Sequence, residues 1–147
     1  RLRGISEICF VLREKVHIKG FWFKRYNRAW QILVAGECDK IYGDSFERAG
    51  EEIHQIGNNV TIRFEQMDFG EKGTKSLVIC GSTPLEKNTI ILKFAKDGVE
   101  EQRMVEFMGT KTKQSFEIEP IYGVNDVSLV FLPGSNFNFT SICFCEA

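Results

Sequence analysis

Residues that usually carry chemistry or charge-driven recognition are scarce here. The 147 residues include two histidines, three prolines and two tryptophans, and 19 basic side chains nearly cancel 20 acidic ones to leave a formal net charge of -1. A protein that grips a nucleic-acid backbone does so with an excess of Lys and Arg, and no such footprint exists, so nucleic acid is not an expected partner. No apolar run approaches the ~18–20 residues that span a bilayer, so no membrane partner is expected either. A signal-peptide pattern is also missing. The chain opens Arg-Leu-Arg-Gly without an initiator Met, which reads as a segment of a longer polypeptide.

Cysteine is present but unorganised. Cys9, Cys38, Cys80, Cys143 and Cys145 form an odd set without framework spacing, so a disulfide-stapled scaffold is not expected. Cys143 and Cys145 stand two apart in a strand-like run and therefore share a face. All five read as reduced and mostly buried, which favours a bacterial cytoplasm over secretion.

Catalytic groupings are equally sparse. His17 and His54 have no His or Cys partner at zinc-ligand spacing. His17 alternates with Val16 and Ile18 and so faces solvent, whereas His54 lies near the Gly57 turn and is the better candidate for ligand contact. There is no Gly-x-Ser-x-Gly elbow and no glycine-rich phosphate cradle. Glu51-Glu52 and Glu100-Glu101 are adjacent, and adjacent side chains of an extended chain point to opposite faces, so neither pair supplies the convergent acids of a glycosidase. Glu37, Asp39 and Asp44, around Tyr42 in ECDKIYGDSF, admit two readings: oxygen ligands for a hard cation, or turn hydrogen bonding by Asp44 and Ser45. As an isolated segment the chain is expected not to be an enzyme.

What the chain has is phenylalanine, 13 in all, and period-2 alternation. VTIRFE from Val60, SFEIE from Ser115 and VSLVF from Val127 alternate apolar with polar side chains, as half-buried strands do. Further strands are predicted at residues 6–13, 16–23, 29–35, 76–80, 89–94, 103–107 and 139–145. Turn-forming Gly, Asn, Asp and Pro separate them, and only 46–53 hints at a helical turn. Many short strands at this spacing predict an all-β antiparallel sandwich or jelly roll in a single domain. Residues 10–23 and 130–144 look alike, as two hairpins, or with the first as the close of a preceding module; residues 1–24 are then its tail and 25–147 the core.

Two stretches carry a resemblance. GNNVTIRFEQMDFGEKG (57–73) resembles the middle of family 6 carbohydrate-binding modules, where a Gly-Asp-Trp-Val-x-Tyr strand precedes a Val-Asp-Phe-Gly turn. PGSNFNFTSICF (133–144) is similar to their final hairpin, and AGECD (35–39) to their first-strand Glu-Ala-Glu. ECDKIYGDSF, CGSTPLEKNTI and FLPGSNFNF also look like modules appended to bacterial family 2 glycoside hydrolases of the β-galactosidase kind.

The resemblance implies a galactose-binding-domain-like jelly roll, without catalysis, that grips sugar between loops at one end. The family's cleft Asn falls on Asn138. Its two clasping rings fall near Ile53, with His54 beside it, and on Lys113, so both rings are absent. Glu37 matches one ligand of the family's structural calcium, but the second ligand position is Thr140. Asn59, in the turn before Val60, and Tyr42 complete the candidate carbohydrate-binding residues. Asn138 also has a plainer reading as a turn residue beside Asn136. Trp22, Tyr26, Trp30, Tyr42 and Tyr122 are alternative platforms, with Tyr26 and Trp30 the more exposed pair. The expected partners are an oligosaccharide or polysaccharide, such as a galactoside, and the catalytic domain of the same polypeptide. The alternative is an architectural or oligomerisation domain with no sugar binding.

Overall fold

The computed structural model describes residues 7–21 and 27–147. Its strands are β1 (Leu33–Val34), β2 (Lys40–Tyr42), β3 (Glu47–Ala49), β4 (Glu52–Ile56), β5 (Val60–Asp68), β6 (Thr74–Ser82), β7 (Lys87–Lys96), β8 (Val99–Met108), β9 (Lys113–Ile121), β10 (Val124–Phe131) and β11 (Phe137–Glu146), with one 3-10 turn at Ala35–Glu37. They form two antiparallel sheets. The first runs β3-β4-β11-β6-β9, with β1 also on β11, and the second runs β2-β5-β10-β7-β8. The all-β sandwich read from the alternation is the fold observed.

The period of two decides what lies between the layers. Val60, Ile62 and Phe64 of β5, Ile90, Leu92 and Phe94 of β7, and Val127, Leu129 and Phe131 of β10 all point inward from the second sheet. Leu77 and Ile79 of β6 and Phe137, Phe139, Ile142 and Phe144 of β11 answer from the first. Phenylalanines tie the layers together: Phe107 meets Phe137 edge-on at 4.9 Å, and Phe69 meets Phe144 at 5.0 Å. Such contacts add about 0.5–1.5 kcal/mol each beyond area burial.

Several expectations are corrected. Residues 7–21 contain no strand and are exposed throughout, so over these residues the strands expected at 6–13 and 16–23 do not form. Alternation specifies a strand only where a neighbour completes the ladder, and no strand of the sandwich pairs with this segment. The helical turn expected at 46–53 is the β3–β4 hairpin, which turns at Gly50 with φ +65°. The final "hairpin" is not a hairpin. β10 belongs to the second sheet and β11 to the first, and the Pro133-Gly134 turn, closed by the Ser135 amide donating to the Leu132 carbonyl at 3.0 Å, carries the chain across the core.

Trp30 is half-buried and meets Phe69 at 5.7 Å, so it is a packing residue and not half of an exposed pair. Trp22 and Tyr26 lie outside the described residues. The cysteines are all free, but only Cys38 is buried. Cys80 and Cys143 are half-buried, and Cys9 and Cys145 are exposed.

Candidate functional site

One end of the sandwich gathers the β2–β3, β4–β5, β6–β7, β8–β9 and β10–β11 connections. The five predicted carbohydrate-binding residues divide there between the two sheets. Asn138 and His54 lie on adjacent strands of the first sheet. Asn138 is engaged in the fold: its Oδ1 accepts the Gln55 amide at 2.9 Å, where β4 bulges and Gln55 takes φ +50°. This corrects the reading of Asn138 as a turn residue, since it sits inside β11. His54 Nε2 lies 2.6 Å from Glu52 Oε2, and Thr140 Oγ1 donates to Glu52 Oε1 at 3.2 Å. The His54 hydrogen bond is the main reason the Glu52 carboxyl is held below its ordinary value. Lys113 begins β9, opposite Cys80 and two strands from β11. The group offers hydrogen bonds but no Phe, Tyr or Trp ring among the predicted residues.

Tyr42 and Asn59 come together on the second sheet. A Cβ on Gly43 (φ +142°) would lie 2.5 Å from the Asn59 carbonyl, so the chain after Tyr42 presses on the Asn59 turn. Asn59 Nδ2 approaches Asp44 Oδ2 at 3.5 Å. Tyr42 is 54% exposed, because its neighbour Ile41 takes the inward position against the core. Register then continues the Tyr42 row across every strand of the sheet: Tyr42, Thr61, Val130, Ile91 and Met104 stand side by side. Met104, at the far end, is 68% exposed. At about 4.8 Å per strand the row is roughly 19 Å long.

Beside it runs a polar row, Lys40, Arg63, Ser128, Lys93 and Gln102. Arg63 Nη2 donates to Asp126 Oδ2 at 2.6 Å, and Lys40 pairs with Glu65 at 2.6 Å. That Asp126 hydrogen bond, with Glu65 and Tyr42 nearby, outweighs burial and holds the Arg63 guanidinium above its ordinary value. Thr61 and Arg63 were legible as the outward positions of VTIRFE. The alignment of the row across five strands was not, because it depends on register.

The cation reading of Glu37, Asp39 and Asp44 is corrected. Arg28 grips Asp39 with both terminal guanidinium nitrogens, Nη1 and Nη2, and Asp39 also accepts the Glu65 amide at 2.7 Å. Asp44 and Ser45 serve the turn: the Asp44 amide donates to the Asn58 carbonyl and the Gly57 amide to the Ser45 carbonyl. Beside Glu37, Arg48 donates to the Gly36 carbonyl at 3.4 Å. Among the described residues no three His, Cys, Asp or Glu side chains converge on a metal position.

No family model and no curated protein matches the chain. Solved structures do. A family 6 carbohydrate-binding module from Clostridium stercorarium, in complex with cellobiose, superposes with a TM-score of 0.64 at 22% identity, over 81% of this chain and 95% of that one. A glycoside hydrolase family 43 arabinoxylan arabinofuranohydrolase from Bacillus subtilis, in complex with cellotetraose, gives 0.61 at 20% identity over 85% of this chain and 28% of that one. A family 36 carbohydrate-binding module in complex with calcium and xylotriose gives 0.58 at 15% identity, over 78% and 99%. At these identities the likeness establishes the fold and leaves residue roles to the geometry above.

Proposed function

We propose that this chain is a non-catalytic glycan-binding module that lays an oligosaccharide across the outer face of its second sheet, with Tyr42 as the ring platform. The row from Tyr42 to Met104 beside the Lys40–Gln102 polar row carries the reading. A sugar ring has apolar faces that dock on an aromatic ring, and its hydroxyls need flanking donors and acceptors of the kind Thr61, Arg63 and Asn59 offer. The fold's occurrence within an arabinofuranohydrolase supports a parent glycosidase, and the resemblance of FLPGSNFNF to modules of the β-galactosidase kind puts galactosides among the candidate ligands. The five free thiols support a reducing compartment. The reading requires no metal.

The test is calorimetry and a glycan array with the full chain. Tyr42→Ala is expected to weaken binding about tenfold, since base–aromatic stacking of comparable kind contributes ~1–3 kcal/mol per ring, while leaving the melting temperature unchanged. Undiminished affinity in that variant would remove Tyr42 as the platform.

One observation favours a second reading, an architectural domain. Ile8, Phe10, Val11, Leu12, Val16, Ile18 and Phe21 are exposed outside the sandwich, an apolar segment suited to covering by a neighbouring domain. Deleting residues 1–24 from the parent polypeptide would then change its assembly or heat stability without changing glycan retention.

A further inference from the structure

The opposite end of the sandwich holds a cavity of about 310 Å³ between the β7–β8 and β9–β10 turns. That volume lies at the lower end of ligand pockets, roughly 300–1,000 Å³. Phe94, buried in the core cluster, forms part of its wall, and Tyr122, 51% exposed, forms another. The Tyr122 ring is held in place: a Cβ on Gly73 would lie 2.6 Å from its Cδ1, so the Gly73 backbone lies directly against it.

The polar groups are unusually free. Asn125 is only 4% exposed, and its Nδ2 donates to the carbonyls of Tyr122 at 3.0 Å and Gly123 at 3.2 Å. Its Oδ1 accepts from no described residue. Lys96 and Asp97 also line the cavity, and neither makes an ion pair or side-chain hydrogen bond among the described residues, whereas Glu101 pairs with Arg103 at 2.8 Å. None of these groups is used by the core or by the Tyr42 face.

We infer that this cavity is a second saccharide site, taking one neutral pyranose with its face on Tyr122 and its hydroxyls on Asn125 Oδ1, Asp97 and Lys96. A hydroxyl donates and accepts, so it satisfies an amide oxygen, a carboxylate and an ammonium at once. The opposed charges of Lys96 and Asp97 cancel, which favours a neutral sugar over a charged one. The inference rests on the glycan-binding reading and makes the module bivalent.

The test is an amide-resolved NMR titration of the full chain with galactose, cellobiose and xylotriose. Shifts are expected at residues 94–101 and 120–125, weakening about tenfold or more in Tyr122→Ala and in Asp97→Gly. The second variant keeps the fold because Asp97 has φ +51°, which glycine adopts freely. Shifts around Tyr42 alone would overturn the second site and leave the glycan reading standing. Shifts at 94–101 and 120–125 that survive both variants would overturn it too. No shift at either place would sink both readings, and shifts at the Tyr122 end alone would support this site against the Tyr42 platform.

Discussion

Gln55 and Gln66 both stand in the left-handed region, at φ +50° and +57°, and each is the extra residue of a bulge. Each amide is accepted by the side chain opposite: Gln55 by Asn138 at 2.9 Å, Gln66 by Asp126 at 2.9 Å. A non-glycine residue in that conformation needs such over-determination, because the strain costs of order 1–3 kcal/mol. Asn138→Ala is therefore expected to lower stability by about 1–2 kcal/mol in chemical denaturation, with Asn138→Asp recovering most of it by keeping an acceptor. Glycan affinity at Tyr42 should be unchanged in both. The amide of Asn138 was legible as a hydrogen-bonding group. Its partner, 83 positions away, was not.

At the level of elements, alternation was reliable in the long strands. β5, β6, β7, β10 and β11 each have neighbours on both sides, and each was readable from its apolar period. The short strands β2, β3 and β4 were not, since three to five residues carry too little pattern against their Gly, Asp and Ser neighbours. β11 shows what joins the layers. Phe137 lies fully buried between Phe107 and Phe131, at 4.9 and 5.4 Å, immediately after the turn that crosses between sheets. Phe137→Ala is expected to cost about 3–5 kcal/mol in a denaturant melt, because Phe107 and Phe131 of the facing sheet and Gly81 of its own cannot collapse into the gap together.

For the molecule as a whole, the ion pairs make stability depend on acidity. Burial pushes the Asp126 carboxyl up, but the Gln66 amide and Arg63 outweigh it and hold it below its ordinary value. Glu52 is shifted the same way by His54 and Thr140. The unfolded chain thus binds protons at a higher pH than the fold does. Their stabilisation is complete above about pH 5 and is lost as pH falls from the ordinary carboxylate value near 4 through the lowered ones. Thermal melts across pH 2–7 should show this acid limb, and Asp126→Asn should flatten it while lowering stability at neutral pH. An equally steep limb in the variant would remove Asp126 from the account.

The sequence by itself determined the class of fold and the inward phenylalanines, because apolar period and residue type are local properties. Which rings reach solvent was decided only by tertiary structure. Tyr42 is exposed because Ile41 takes the inward place at a sheet edge, Trp30 is covered by Phe69, and Tyr122 stands against Gly73 from another strand pair. Register and the crossing of chain between layers set those neighbours, and both depend on contacts between residues far apart along the chain.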